Sequence, residues 1–339
     1  MRRSFQLLAL LAYIVMSVSA AQAGTLETIK ERGTLNCGVN TGLAGFAQQD
    51  SRGNWSGFDV DFCRAVSAAI FGDGDAVRFV ALTAKQRFEA LQSGEIDLLS
   101  RNTTWTFSRD TKLHLSFAGT SYYDGQGFLI PKRTKIETAL DLNGARICVQ
   151  VGTTTELNLS DYFQANKIRY IPVRFEDATS AEVLYATGEC DVYTADASAL
   201  AATRAKLDNP EDHTILPEII SKEPLGPVVN QGDENWVDLV RWTLNALIAA
   251  EELGITSQNV ETLAATTTHR DIGRLLGTQD GLGSHLGVEV DWVVSVVKAV
   301  GNYEEIFDRN IGLDTPIGLT RGLNAQWQKG GLLYAPPFR

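Results

Sequence analysis

The sequence predicts an α/β protein of two similar lobes, each built on a mostly parallel sheet with helices on both faces. Three observations predict this fold class: strand-like and helix-like segments alternate, the alternation starts again near residue 146, and both rounds share a short motif. Because strands that alternate with helices form mostly parallel sheets, each round can build one doubly wound lobe.

Each round contains three strands and two helices. The first round consists of a strand at 34–39, a helix at 60–71, a strand at 77–80, a helix at 84–93 and a strand at 96–99. The second round consists of a strand at 146–150, a helix at 155–165, a strand at 170–173, a helix at 180–187 and a strand at 191–194.

The shared motif is Gly-Glu-x-Asp. It occurs at 94–97 and again at 188–191, and each copy ends a helix and leads into an apolar strand. Glycine supplies the left-handed backbone conformation that closes the end of a helix. The offset between the copies is 94 residues, which places Asn102 opposite Asp196 in the second round.

Two segments marked by glycine or proline, at 122–127 and 222–227, separate the rounds. If the chain leaves the first lobe at one segment and returns at the other, two strands join the lobes as a hinge. We therefore predict that the first lobe contains residues 24–124 and 228–339, and the second lobe residues 125–227. A helix at about 234–253 and a mainly helical C-terminal extension follow the second segment.

Residues 1–23 have the features of a cleaved secretory signal peptide. Arg2 and Arg3 precede an apolar run at 7–18, and Ala21-Gln22-Ala23 matches a small-x-small cleavage site. The apolar run is shorter than the roughly 20 residues of a membrane span, although an uncleaved anchor is the alternative. No later segment offers a comparable apolar run, so we expect the mature chain to be soluble and exported.

The charge of the chain argues against two classes of partner. The formal net charge is −11, and removal of Arg2 and Arg3 with the signal peptide makes it −13. Such an acidic protein is not expected to bind nucleic acid or an anionic membrane.

The chain has four cysteines, Cys37, Cys63, Cys148 and Cys190. Their even number, the export signal and the absence of a CxxC spacing favour disulfides over metal binding. Of the three possible connectivities we prefer Cys37 with Cys63 and Cys148 with Cys190, because each pair then lies inside one lobe. Unpaired buried cysteines are the alternative.

Polar side chains cluster directly after the strand at 96–99. The segment 101–110 includes Asn102, Thr104, Trp105 and Arg109. Ligands of open α/β sheets bind beyond the carboxyl ends of the strands, and Asp196 follows the equivalent strand of the second lobe. We therefore predict a binding cleft between the lobes.

A strand-to-helix turn at 151–156 adds a third element. Its threonines can cap the helix, and its unpaired N–H groups and helix dipole attract an anion. A zwitterion taken out of water needs partners for both charges, since each uncompensated charge costs several kcal/mol. Arg109 and Thr154 can bind a carboxylate, Asn102 and Thr104 can complete the hydrogen bonds, and Asp196 can accept from an ammonium group.

These residues resemble the polar amino acid-binding proteins of ABC importers. The resemblance rests on Gly57-Phe58-Asp59-Val60-Asp61, the run at 94–109, Gly152-Thr153-Thr154-Thr155-Glu156 and the strand end at Asp196. The segments at 301–307 and 321–324 are similar to the general L-amino acid subgroup of that family.

The resemblance implies a bilobal type II periplasmic binding protein fold with a helical C-terminal extension. It also implies a periplasmic protein that closes on a free L-amino acid and delivers it to an inner-membrane permease. By position, Arg109 matches the carboxylate-binding arginine, Thr104 and Thr154 the hydrogen-bonding hydroxyls, and Asp196 the ammonium acceptor. Leu43 replaces a frequent aromatic residue and Arg101 is unusually bulky, which argues against narrow side-chain specificity.

Each candidate residue has a simpler interpretation. Arg109 could form a surface ion pair with Asp110, and Asp196 could only cap the following helix. Trp105 is expected to form a wall of the pocket or to pack between elements rather than to read the ligand. Asp59 and Asp61 are expected to cap a helix and complement its dipole rather than to bind metal.

We expect a monomeric binding protein without a cofactor, a metal or a catalytic residue. The alternative is a periplasmic dehydratase on the same scaffold, acting on an amino-acid-like cyclohexadienyl carboxylate, which needs a general acid in the cleft. The sensing domain of a receptor is a third class, disfavoured because no membrane span follows the lobes.

Overall fold

The computed structural model describes residues 24–339. The predicted signal peptide, residues 1–23, lies outside the described residues. Within 24–339, every helix is too short or too polar to span a bilayer.

The ten strands and helices predicted for the two rounds are present, with ends shifted by a few residues. The strands are β1 (Leu35–Asn40), β2 (Gln48–Gln49), β3 (Trp55–Ser56), β4 (Val77–Leu82), β5 (Leu98–Leu99), β6 (Leu115–Phe117), β7 (Tyr122–Asp124), β8 (Gln126–Pro131), β9 (Arg146–Gln150), β10 (Ile171–Phe175), β11 (Val192–Asp196), β12 (His213–Ile215), β13 (Glu223–Leu225) and β14 (Val228–Asn230). The helices are α1 (Thr25–Arg32), α2 (Phe58–Phe71), α3 (Arg87–Gln92), α4 (Phe107–Thr111), α5 (Thr154–Ala165), α6 (Ala178–Ala186), α7 (Ala197–Lys206), α8 (Glu234–Glu252), α9 (Val260–Thr266), α10 (Arg270–Leu275), α11 (Trp292–Val300) and α12 (Tyr303–Asn310).

Two five-stranded sheets form the two lobes. The sheet of the first lobe has the order β4-β1-β5-β14-β6, and the sheet of the second lobe has the order β10-β9-β11-β8-β12. In each sheet the first three strands are parallel and the last two are antiparallel to their neighbours. The bilobal fold class is therefore confirmed, and the same topology occurs twice.

Each sheet is mostly parallel, as expected, and the strand that follows the hinge runs in the opposite direction to the other four. Gln126, at the start of β8, lies beside Asp196 at the end of β11. Val228, at the start of β14, likewise lies beside Leu99 at the end of β5. A chain that arrives from the other lobe enters its sheet at the edge facing the cleft, so its strand runs opposite to β5 or β11.

The hinge consists of β7 and β13, which pair as an antiparallel two-stranded sheet between the lobes. Asp124 lies opposite Glu223, and Tyr122 lies opposite Leu225. Both predicted hinge segments therefore contain a strand. The lobe boundaries at 124/125 and 227/228 stay a prediction.

One disulfide lies in each lobe, as preferred from the sequence. Cys37 of β1 is bonded to Cys63 of α2, and Cys148 of β9 is bonded to Cys190 just before β11. Each bond joins a sheet strand to a segment distant in sequence, and so restricts the unfolded chain.

Helix α2 begins at a glycine rather than at an acidic cap. Gly57 has φ 134°, and a Cβ at this position would lie 2.2 Å from the carbonyl oxygen of Phe46. Asp59 and Asp61 lie inside the first turn of α2, and the capping prediction for them is wrong. Their charges still complement the helix dipole, as expected.

The C-terminal extension packs on the first lobe and reaches the hinge. Helix α11 packs against α2 and α8. The Asn324 side chain accepts from the N–H of Tyr123 (2.7 Å) and donates to its carbonyl oxygen (3.1 Å). Tyr303 donates its hydroxyl to the carbonyl of Ser121 at 2.7 Å. The extension therefore satisfies backbone groups of the hinge strand β7 and of its approach.

Candidate functional site

A cavity lies between the lobes at the carboxyl ends of β1, β5, β9 and β11. The first lobe lines it with Asn40, Leu43, Arg87, Arg101, Asn102 and Thr104. The second lobe lines it mainly with Gln150, Thr153, Thr154, Tyr193 and Asp196. Four of the predicted site residues, Asn102, Thr104, Thr154 and Asp196, therefore share one cavity.

Asp196 ends β11 and is 7% exposed. It occupies the position before α7, but its side chain makes no capping hydrogen bond, and its Oδ1 atom has no hydrogen-bond partner. Burial, together with the negative charges of Asp124 and Glu223, raises the pKa of Asp196 well above its usual range. The structure thus does not support simple helix capping by this side chain. Among residues 24–339 no cationic group lies within ion-pair distance of the carboxyl group, although the charge of Arg87 acts on it through space.

Asn102 faces Asp196 from the first lobe, as the offset of 94 residues predicted. Its backbone has φ 33°, a left-handed conformation that asparagine tolerates better than most residues. The Asn102 N–H donates to Asp59 Oδ2 at 2.9 Å, and its side chain accepts from Asn40 at 3.0 Å. The Asn102 amide also acts against the raised pKa of Asp196, because it favours the ionised carboxylate.

Asp59 holds this turn with hydrogen bonds to both of its carboxylate oxygens. Its second oxygen accepts from the Ser100 hydroxyl at 3.2 Å. Burial raises the pKa of Asp59 to about 6. The sequence analysis missed this role of the motif at 57–61, because the partners of the carboxylate, Ser100 and Asn102, are 41 and 43 positions further along the chain.

Thr104 and Thr154 connect the two lobes. Their hydroxyl oxygens are 3.2 Å apart, and Thr154 donates its hydroxyl to Glu223 Oε2 at 2.9 Å. Glu223, on the hinge strand β13, also accepts from Asn158 and Ser221. The Thr104 hydroxyl must then donate to Thr154, so one chain of hydrogen bonds joins both lobes to the hinge.

Thr153 has a structural role at the same turn, as the N-cap of α5. Its side chain accepts from the N–H of Glu156 at 3.2 Å and so caps α5. One of the three consecutive threonines is therefore a cap, as expected. Helix α5 presents the unpaired N–H groups of its first turn beside this cap.

Arg109 is buried but does not line the cavity. Its guanidinium donates to the carbonyl oxygen of Thr104 at 2.7 Å and lies 5.2 Å from the ring centroid of Phe88. Burial lowers the pKa of Arg109 to about 10, so the group keeps its charge at neutral pH. The surface ion pair with Asp110 is not formed, since Asp110 accepts from Trp105 instead. Contact between Arg109 and a ligand stays a prediction.

Trp105 does not line the cavity; of the two expected roles, wall of the pocket or packing between elements, the structure shows the packing. Its side chain is 40% exposed and stacks on Phe117 with ring centroids 5.5 Å apart. The segment is extended here, because Thr104 pairs with Leu225 and the Trp105 N–H donates to Pro224. Successive side chains of an extended segment point in opposite directions, so Thr104 faces the cavity and Trp105 faces away.

Two arginines in the cavity wall were not predicted as site residues. Arg101 is 1% exposed; its Nε donates to the Leu82 carbonyl at 2.9 Å, whereas its Nη2 has no partner. Arg87, the first residue of α3, is 2% exposed, with one weak hydrogen bond to Thr103 at 3.4 Å and a partnerless Nε. Within residues 24–339, neither guanidinium lies within 4.0 Å of a carboxylate.

The walls of the cavity lie close together. The cavity volume is about 40 Å³, between the volumes that one and two water molecules occupy in the liquid at about 30 Å³ each. A ligand the size of an amino acid can therefore enter only when the lobes separate or the arginine side chains move.

Comparison with known proteins places these features in a family. Residues 35–259 match the model of the bacterial extracellular solute-binding proteins, family 3. The general L-amino acid-binding periplasmic protein AapJ of Rhizobium johnstonii is 56% identical over 97% of this chain and 96% of its own. The glutamate/glutamine/aspartate/asparagine-binding protein BztA of Rhodobacter capsulatus is 54% identical over 97% of each chain.

A solved structure gives the same result for the fold. The ABC transporter periplasmic binding protein from Brucella ovis, with glutathione bound, is 58% identical, with a TM-score of 0.91. The match covers 94% of this chain and 100% of that one. The resemblance inferred from the motifs is confirmed, and this chain belongs to the bacterial extracellular solute-binding proteins, family 3.

Proposed function

We propose that this protein binds a free L-amino acid between its lobes and delivers it to an ABC importer of the inner membrane. One observation carries the proposal: the buried Asp196 carboxyl, with one oxygen that has no hydrogen-bond partner, faces a cavity whose opposite wall carries guanidinium groups. An α-ammonium group supplies the missing hydrogen-bond donor. A carboxylate on the same ligand meets Thr104, Thr154 and the N-terminus of α5, with Arg109 as the predicted bidentate partner.

Closure follows from the position of these groups on separate lobes. Only the closed state satisfies both ends of the ligand, so the ligand binds the closed state better than the open state and shifts the population toward it. The hydrogen bonds from Thr104 through Thr154 to Glu223 link this closure to the hinge.

The relatives support the rest of the proposal. AapJ and BztA are named as binding proteins for amino acids, and they align over nearly their whole length. We infer a periplasmic, monomeric binding protein, exported by a cleaved signal peptide, that acts with a permease and without a cofactor.

Calorimetric titration with the twenty L-amino acids tests the proposal. The protein is first unfolded and refolded to remove any bound solute. We expect at least one amino acid to bind with a Kd around micromolar, about −8 kcal/mol. If none of them produces heat, the proposal is rejected.

The enzyme alternative needs a general acid in the cavity, and Asp196 is a carboxyl group that lines it. Incubation with a cyclohexadienyl carboxylate, with detection of aromatic product, separates the two functions. Steady product formation that is lost in Asp196→Asn would replace the binding function by a dehydratase.

A further inference from the structure

We propose that Asp124 and Glu223, which face each other on the two hinge strands, are positioning residues that hold the ligand-binding ends of α7 and α5 at the pivot of the lobes. This inference rests on the proposed function and explains how the binding groups are connected to the hinge. Neither residue lines the cavity itself.

The first argument is that Asp124 caps the helix that follows Asp196. An aspartate directly before a helix usually accepts from the N–H of the second or third helical residue, and the second residue of α7 is Ser198. Asp124 takes this role instead, since its Oδ2 atom accepts from the Ser198 N–H at 3.3 Å and from the Ser198 hydroxyl. The Asp196 side chain makes no capping bond and remains available to the cavity.

The second argument is that Glu223 fixes the helix that carries Thr154. Its carboxylate accepts from the Thr154 hydroxyl at 2.9 Å and from the Asn158 amide at 2.7 Å, and Ser221 donates to it at 2.6 Å. Thr154 and Asn158 are four positions apart and therefore lie on one face of α5. Glu223 thus holds the first turn of α5, which lines the cavity with Thr154.

The third argument is that the first lobe holds the neighbouring residue of each hinge strand. The carbonyl oxygen of Pro224 accepts from the N–H of Trp105 at 2.8 Å. Asn324 of the C-terminal extension contacts both backbone groups of Tyr123. These two hinge residues therefore move with the first lobe.

The change of partner occurs at the same level in both hinge strands. In β7 it falls between Tyr123 and Asp124. In β13 it falls between Glu223 and Pro224, which lie opposite those residues. Since a few backbone torsions absorb the rotation of two lobes, the rotation is concentrated at these two links. The Pro224 ring fixes one torsion of the second link.

The fourth argument is that the pair of acids destabilises the hinge by itself. Glu223 is 1% exposed, and like charges directly opposite each other on antiparallel strands are unfavourable. Burial, with a smaller contribution from the charge of Glu223, raises the pKa of Asp124 to about 6. Such perturbed groups are typical of functional positions.

Positioning predicts that Asp124 is coupled to Asp196. In Asp124→Ala the Asp196 side chain is free to cap α7, so the ligand ammonium loses part of its partner and affinity falls by at least about tenfold. Asp196→Asn should then cost less than about tenfold in this background, against at least about 100-fold in wild type.

Glu223 is expected to be coupled to Thr154 in the same way. Glu223→Gln offers one acceptor oxygen to three donors, and should weaken binding by about tenfold. Thr154→Val in this background should cost less than about threefold, against about tenfold in wild type.

Calorimetric titration of the single and double variants tests the proposal, with the L-amino acid that wild type binds most tightly among the twenty. The crossed pair, Asp124→Ala with Thr154→Val, is the control, because these residues share no hydrogen bond; its effects should be additive within about twofold. Asp233→Ala is the stability control. Asp233 caps α8 outside the cavity, so its loss should lower the Tm and leave affinity unchanged.

A conservative variant separates capping from charge. Asp124→Asn keeps an acceptor oxygen for Ser198, and because asparagine caps helices as well as aspartate does, it should bind within about threefold of wild type. A loss as large as in Asp124→Ala would assign the effect to the charge and overturn the capping role.

Additive effects also decide against the proposal. For either pair, additivity would overturn the positioning role of that hinge residue, while the proposed function stands. If wild type binds no amino acid, the proposed function fails and the positioning roles with it. Should Asp124→Ala not fold, Ser198→Ala removes the hydroxyl partner of Asp124 and is expected to show the same coupling to Asp196→Asn, smaller in size.

Discussion

The two walls of the cavity have the same framework and opposite charges. Strands β5 and β11 occupy equivalent places in their sheets, yet the first is followed by Arg101 and Asn102 and the second ends in Ala195 and Asp196. Helices α3 and α6 are also equivalent, and α3 lines the cavity with Arg87 where α6 offers Ala178. A repeated fold thus supplies one cationic wall and one anionic wall.

This difference explains why a zwitterion suits the cavity. A cation alone would meet the guanidinium groups, and an anion alone would meet Asp196. A ligand that carries both charges in a fixed arrangement satisfies both walls at once, provided that the lobes close on it.

Loss of the anionic wall is expected to have the largest effect. Asp196→Asn keeps the shape of the side chain but removes its charge, and leaves the ligand ammonium buried without a counterion. We expect at least about a 100-fold loss of affinity, or about 3 kcal/mol, by calorimetry. The Tm of the free protein should not fall, since the carboxyl group is unfavourably buried there.

Asp238→Asn is the matched control, because Asp238 is half-buried on α8, outside the cavity, and forms an ion pair with Arg241. Its affinity should equal that of wild type. A wild-type affinity in Asp196→Asn would instead remove Asp196 from the site.

The protonation of Asp196 is expected to give the next largest effect. The ligand ammonium favours the carboxylate, but burial raises the pKa of Asp196 well above its usual range in the free protein. Binding below that raised pKa therefore releases a proton, and affinity rises with pH by at most about tenfold per unit. Calorimetry between pH 5 and 8, in buffers of different ionisation enthalpy, measures both quantities. Proton uptake on binding, or an affinity that falls as pH rises, would contradict this assignment.

The bridge between the walls is expected to have a smaller effect. Thr154→Val removes the hydroxyl that contacts Thr104 and Glu223, and should weaken binding by about tenfold, or about 1 kcal/mol, mainly through faster dissociation. Thr153→Ala is the comparison, since Thr153 caps α5. It should lower the free energy of unfolding by about 1 kcal/mol and change affinity less. If Thr153→Ala weakened binding more and Thr154→Val lowered the free energy of unfolding more, the roles assigned to the two threonines would have to be exchanged.

The sequence was informative where local pattern and repetition determine the structure. Alternating strands and helices predicted both lobes, and the repeated Gly-Glu-x-Asp motif predicted that Asn102 and Asp196 face each other. Both residues lie at strand ends, whose place in the sheet follows from the topology.

Contacts between residues that are far apart in the sequence could not be predicted in the same way. In the sequence, Arg87 has no feature that distinguishes it from other residues at the start of a helix. Only the tertiary structure shows that its side chain lines the cavity. Glu223 gave no signal, because its partners Thr154 and Asn158 are 69 and 65 residues away. The sequence left two roles open for Trp105, because the direction of a side chain in a short extended segment depends on which neighbour the segment pairs with.

The hinge clamp of the C-terminal extension is expected to have the smallest effect on binding. Asn324→Ala leaves the N–H and carbonyl of Tyr123 without their partner. We expect the free energy of unfolding to fall by about 1 to 2 kcal/mol in denaturant titrations, and affinity to change by less than about threefold. A large loss of affinity with unchanged stability would mean that the extension sets the balance between open and closed lobes.

A crystal structure with a bound L-amino acid tests the division of charge between the walls most directly. We expect the ligand ammonium at hydrogen-bond distance from Asp196, about 3 Å, and the ligand α-carboxylate on Thr104 and Thr154. A ligand that turns its ammonium toward the first lobe, or that leaves Asp196 without contact, would contradict the account.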